Sequence, residues 1–146
     1  MSVLGLARFH KAQESMWPVA HAELSAGRKV SHWMWFIFPQ IAGLGRSGTA
    51  AYYAIASRAE ARAYLDDEVL GQRLRDAVAT LLTHRSVPAE TILGSVDAMK
   101  LRSCLTLFRA ADPRERLFDE ALDTFFDGEP DPLTLQILNA EDRAET

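Results

Sequence analysis

The side chains best suited to chemistry sit in KVSHWMWFIFPQ, residues 29–40, where two of the three tryptophans and two phenylalanines fall within six residues. His32 heads that run and is the acid–base candidate by residue type, because an imidazole changes charge near neutral pH. Read as a helix, the run puts His32, Phe36 and Gln40 on one face at i, i+4 and i+8, with Lys29 one turn earlier. Such a face could look onto a small-molecule site with Trp33 or Trp35 as a stacking wall. The competing reading is structural: His32 satisfies a backbone carbonyl and the tryptophans fill the core.

Directly after it, Gly43-Leu44-Gly45-Arg46-Ser47-Gly48 matches the G-x-G-x-x-G pattern of dinucleotide-binding turns, and Asp66 and Asp67 follow at about the spacing of a ribose-binding acid. The context argues against it. Pro39-Gln40-Ile41-Ala42 separates the apolar run from the first glycine, and SRAEARAYLDD reads as a capped helix where a second strand is required. A looser reading survives, in which Arg46 and the amides of residues 45–48 hold an anion; the alternative is a plain turn.

Asp97, Lys100 and Cys104 lie at i, i+3 and i+7, with Ser103 adjacent. Asp97 and Lys100 suit a helix-surface ion pair, and a catalytic Lys or Cys would need a lowered pKa from burial or a neighbouring cation. His10, His21, His32 and His84 are scattered, with no H-E-x-x-H or C-x-x-C, so no metal site is expected. Arg28 and Lys29 fit a helix end, where cations offset the macrodipole. No triad or nucleophile-elbow context is present, no cofactor is called for, and whether the chain is an enzyme stays open.

These residues must be carried by helices. Ala occurs 22 times against 12 for Val and Ile together. A first helix is expected around Leu4–Glu14, and a second from Ser15 and Pro18 to Ala26 with Gly27 as its stop. Ser57 and Glu60 read as a capping box for residues 58–66. Leu70, Leu74, Ala77, Val78, Leu81 and Leu82 recur at helical spacing. A short helix after Pro88 ends at Gly94, and another covers Asp97–Ala110. Asp112-Pro113-Arg114-Glu115 and Asp131-Pro132 mark two further starts, the last helix running to about Asn139. The expectation is all-α: one compact domain over 1–146 with about seven or eight short helices, 1–3 and 141–146 being frayed ends.

The bulk composition is that of a globular domain, with 48% hydrophobic and 25% charged residues among 146. A net charge of -4 disfavours nucleic acid as the main partner. The apolar run at 33–38 is far short of the roughly 20 residues that span a bilayer, so no membrane partner is expected. One cysteine and no basic-then-apolar leader point to the cytoplasm.

The block AELSAGRKVSHWMWFIFPQIAGLGRSGTAAYYAI resembles the signature of a bacterial family, domain-of-unknown-function family 1810, whose members sometimes carry the label calpastatin. ILGSVDAMKLRSCLTLFRA is similar to its Gly-x-x-Asp-x-x-Lys-Leu-x-Ser block and FFDGEPDPLTLQIL to its C-terminal block. The resemblance covers nearly the whole chain and implies an all-helical single domain without naming a reaction. The calpastatin label refers to a eukaryotic protease inhibitor, and nothing in these residues supports it. Cys104 stands where the family more often has Ser, and the segment from Gly94 to Asp97 lacks a usual proline; both argue against a catalytic Cys104.

The functional expectation is a pocket beside the aromatic run that binds a small anionic or nucleotide-like metabolite through Arg28, Lys29, His32, Trp33, Gln40, Arg46 and Lys100, with His32 as the one catalytic candidate. The alternative is a structural or protein-interaction module without a small ligand, for which a homodimer is open.

Overall fold

The computed structural model describes the backbone of residues 2–145 and the side chains of residues 5–144. Among them the chain forms α1 Ser2–Ala26, α2 Met34–Ile37, α3 Gly48–Tyr53, α4 Arg58–Asp66, α5 Glu68–Leu82, α6 Ala89–Leu93, α7 Ser95–Ala111, α8 Arg116–Phe126 and α9 Pro132–Glu145. No strand occurs among the described residues; one isolated parallel bridge pairs Ile41 with Ile55. The fold is all-α. At its centre α7 packs against α4, α6, α8 and α9, while α1 lies against α2, α4 and α5. Every residue of α7 from Ser103 to Phe108 is buried, as expected of a helix covered on several sides.

Several boundaries follow directly from local chemistry. Ser57 accepts a hydrogen bond from the Glu60 amide, and Glu60 reaches back to the Ala56 amide at 2.8 Å, so α4 starts where its capping residues place it. Asp67 ends α4 and caps α5 by accepting from the Val69 and Leu70 amides. Gly27 closes α1 at φ 75°: its amide bonds to Leu24 O and the Arg28 amide to Glu23 O, a Schellman turn. The apolar residues expected to line α5 are all buried.

Other boundaries are corrected. The two helices expected before Gly27 are one, with Pro18 inside it. Leu6, Phe9, Gln13, Ala20 and Leu24 form one buried stripe that carries the helix past the proline. Pro18 and Glu14 are both exposed, where water can take up the carbonyl freed by the missing N–H.

Asp112-Pro113-Arg114-Glu115 makes a turn, and α8 begins only at Arg116. Glu115, which a capping box would fold back on its N-cap, is drawn instead to Arg75 at 2.7 Å. The final helix does start at Asp131, which accepts from the Thr134 amide, but it continues through Glu145. Its end is held rather than frayed: the Arg58 amide donates to Glu141 at 2.9 Å and the Arg58 guanidinium pairs with Asp142 at 2.8 Å. Met1 and Thr146, also expected to fray, lie outside the described residues.

The packing of α4 against α5 leaves no room at Gly71, where a Cβ would fall 2.1 Å from Leu65 O. Gly71→Ala should therefore lower unfolding free energy by about 1–3 kcal/mol in urea titrations. Gly48→Ala, whose new methyl meets nothing within 4 Å, should be neutral or stabilise by about 0.4–1 kcal/mol.

Candidate functional site

The path from α1 to α2 is set by one carboxylate. Glu23, in the last turns of α1, accepts hydrogen bonds from the Val30 amide at 2.8 Å, the Ser31 amide at 2.8 Å, the Ser31 hydroxyl at 2.6 Å and the Trp33 indole N–H at 2.9 Å. Desolvation pushes this carboxyl up, but the hydrogen bonds from Ser31, Val30 and Trp33 outweigh it and hold the pKa at about 2. Trp33 is fully buried as a result. It is an anchor and not the wall of a pocket, which corrects its place among the expected binding residues.

The aromatic run is helical only over the single turn of α2. His32 precedes that turn and Gln40 follows it, so they share no helix face with Phe36, contrary to the helical reading. Hydrogen bonds from other parts of the chain hold α2 and the residues beyond it. The Phe36 carbonyl accepts from the Gln13 side chain at 2.7 Å, Gln40 O accepts from the Ile55 amide at 2.8 Å, and the Ala42 amide donates to Ile55 O at 2.8 Å.

These contacts fix one wall of a cleft of about 390 Å³. Trp35 and residues 40–45 form that wall; Ala50, Ala51 and Tyr53 of α3 with its C-cap Ala54 form the second; Val96, Met99 and Lys100 at the start of α7 form the third. Of the expected binding residues, Gln40 and Lys100 come together here, and Arg28, Lys29, His32, Trp33 and Arg46 do not line it. Arg28, His32 and Arg46 are exposed. His32 has no hydrogen bond or ion pair among the described residues, so no group orients its ring for acid–base work. Ser47 spends its side chain capping α3, accepting from the Ala50 amide at 3.0 Å.

Lys29 reaches the cleft indirectly. Asp97 forms ion pairs with Lys29 Nζ at 2.9 Å and with Lys100 Nζ at 3.6 Å, one carboxylate between two ammonium groups. Each lysine also lies over an indole: Lys29 is 5.2 Å from the Trp33 ring centre and Lys100 is 5.3 Å from that of Trp35. The expected Asp97–Lys100 pair is present, but the shorter contact is to Lys29, from the other block of sequence. The Lys29 side chain is 8% exposed and that of Lys100 29%. Tyr53, Val96 and Met99 are lining residues that the sequence does not single out. Trp35 is one of two interchangeable aromatic candidates, and the other three carry no local signal.

Cys104 is fully buried, and burial pushes its thiol well above the ordinary range, so it is no nucleophile. Among the described residues no three His, Cys, Asp or Glu side chains gather as metal ligands, and no helix is long and apolar enough to cross a membrane.

Residues 3–138 match the family described as protein of unknown function, DUF1810. The chain belongs to this family. A crystal structure of the conserved hypothetical protein Rv1873 from Mycobacterium tuberculosis superposes with a TM-score of 0.90 at 40% identity, over 92% of this chain and 96% of that one. No curated protein matches. In this DUF1810 chain the Glu23 anchor folds the first signature block on itself, the Asp97 bridge joins that block to the second, and the cleft opens beside the bridge.

The anchor has a pH signature. Its folded pKa of about 2 lies below the ordinary 4.5, so its stabilisation is fully present above about pH 4.5 and is lost as pH falls through 2. The stability gap between wild type and Glu23→Gln, from urea midpoints, should be constant above about pH 5 and close between 4.5 and 2.

Proposed function

We propose that the cleft binds a small anionic metabolite. Lys100 is its charged contact, Gln40 supplies a hydrogen-bonding amide and Trp35 an aromatic wall. The observation that carries this reading is the charge balance around Asp97. Two ammonium groups share one carboxylate, a net charge of +1, and Lys100 is the charged residue that lines the cleft. Lys29 acts behind it, occupying the carboxylate that would otherwise neutralise Lys100. A cleft lined by apolar side chains with a few polar groups is the usual form of a small-ligand site. The lone buried thiol of Cys104 fits a cytoplasmic setting for such a protein. No reaction is assigned.

Val96 and Met99 favour a second reading, a protein contact, because they are 68% and 65% exposed at the cleft rim. Light scattering separates the two, since a rim interface between copies would raise the mass above one chain.

A thermal-shift panel of inorganic phosphate, nucleotides, ADP-ribose and organic carboxylates should contain at least one compound that raises Tm by about 5–10 °C at a hundredfold excess over Kd. Lys100→Met should abolish that shift while leaving the unliganded Tm close to wild type. A flat panel, or a shift that survives Lys100→Met, contradicts the reading.

A further inference from the structure

The ligand class can be narrowed, on the basis that the cleft is a binding site at all. We propose that it selects a monocarboxylate with a flat apolar body, of the size of an aryl or indolyl carboxylic acid, and not a nucleotide.

Charge is the first argument. Among the described residues Lys100 is the one charged side chain lining the cleft, and the Lys29–Asp97–Lys100 cluster carries a single net positive charge. That matches one carboxylate and undercompensates a phosphate ester or diphosphate, which brings about two negative charges. The nearby arginines add nothing: Arg28 and Arg46 are exposed and line no part of the cleft.

The glycine-rich turn is the second. A phosphate cradle presents free amides and room for an oxyanion. Here the Ala50 amide is taken by the Ser47 hydroxyl, the Ala51 amide by Ser47 O, and Gly45 packs so closely on Ala50 that a Cβ would lie 2.5 Å from the Ala50 methyl. The start of α3 therefore offers neither of these two amides, and the close Gly45–Ala50 packing narrows the turn there.

Size and lining are the third. At about 390 Å³ the cleft is near the lower end of ligand sites, which span roughly 300–1,000 Å³. Two aromatic rings, Trp35 and Tyr53, and the aliphatic Leu44 and Met99 offer flat and apolar contact. The Gln40 amide and the Trp35 indole N–H have no protein hydrogen-bond partner among the described residues. Together with the Lys100 ammonium they provide donors for a carboxylate.

Titration calorimetry on the full chain, with 2-naphthoate as probe, tests the assignment against 2-naphthalenemethanol, 2-naphthyl phosphate, AMP and ADP-ribose. 2-Naphthoate should saturate at one site per chain, and the neutral alcohol should bind at least about tenfold more weakly. Lys100→Met should cost 2-naphthoate a similar factor and Lys100→Arg should restore part of it, with circular dichroism confirming that both variants fold. If AMP, ADP-ribose or naphthyl phosphate binds more tightly than every carboxylate and still depends on Lys100, the carboxylate assignment is wrong and the anion site stands. If no compound binds, or binding ignores Lys100, both are wrong.

Discussion

Asp97 carries the constraint on which the site depends. A carboxylate 18% exposed lies between two lysines from different parts of the chain; Lys29, the nearer at 2.9 Å, neutralises it, which leaves the charge of Lys100 uncompensated. Lys29 is the more enclosed partner, held between the Asp97 carboxylate and the Trp33 ring, and its own amide bonds to Ile92 O at 2.8 Å. Burial of that ammonium is tolerable because the loop that delivers it is fixed at both ends. Glu23 gathers the Val30 and Ser31 amides and the Trp33 indole, and the Schellman turn at Gly27 aims the chain toward them. His84 supports that turn by donating from its ring to the Leu24 and Ser25 carbonyls.

The walls of the cleft are tied to the same framework. Arg8 of α1 donates to the Tyr52 and Ala54 carbonyls, each at 2.7 Å, and pairs with Glu60 at 3.3 Å, so the end of α3 is clamped between α1 and α4. Phe36, Tyr53, Phe9 and Tyr64 continue inward as successive ring contacts. The Ile41–Ile55 bridge then holds the Gln40 segment against the extended stretch that follows α3. A cleft built this way is largely formed before any ligand arrives, which lowers the ordering cost of binding.

Legibility in the sequence followed the range of the interactions. Helices whose ends are set by adjacent side chains, α4 with its Ser57–Glu60 start and α6 ending at Gly94, appear where spacing and caps place them. α1 and α8 depart from expectation because distant contacts override local signals: the buried stripe past Pro18 and the capture of Glu115 by Arg75. The site divides in the same way. Gln40 and Lys100 stood out as polar residues in apolar blocks, and the structure brings them together. Trp33 and Trp35 could not be told apart, because their roles depend on a carboxylate ten residues upstream and on a helix turn only four residues long. Tyr53, Val96 and Met99 enter the site solely through the meeting of three non-adjacent segments.

The central claim is that the cleft between the Gln40 segment, α3 and the start of α7 is where a ligand sits, and the three tryptophans report on it separately. Indole N–H cross-peaks in a nitrogen–proton correlation spectrum, assigned with single Trp→Phe variants, can be followed during titration with 2-naphthoate. Trp35 should shift progressively to saturation, while Trp33, sealed against Glu23, and Trp17, outside the cleft, stay in place. A response confined to Trp17, or no response at any indole, would contradict the account.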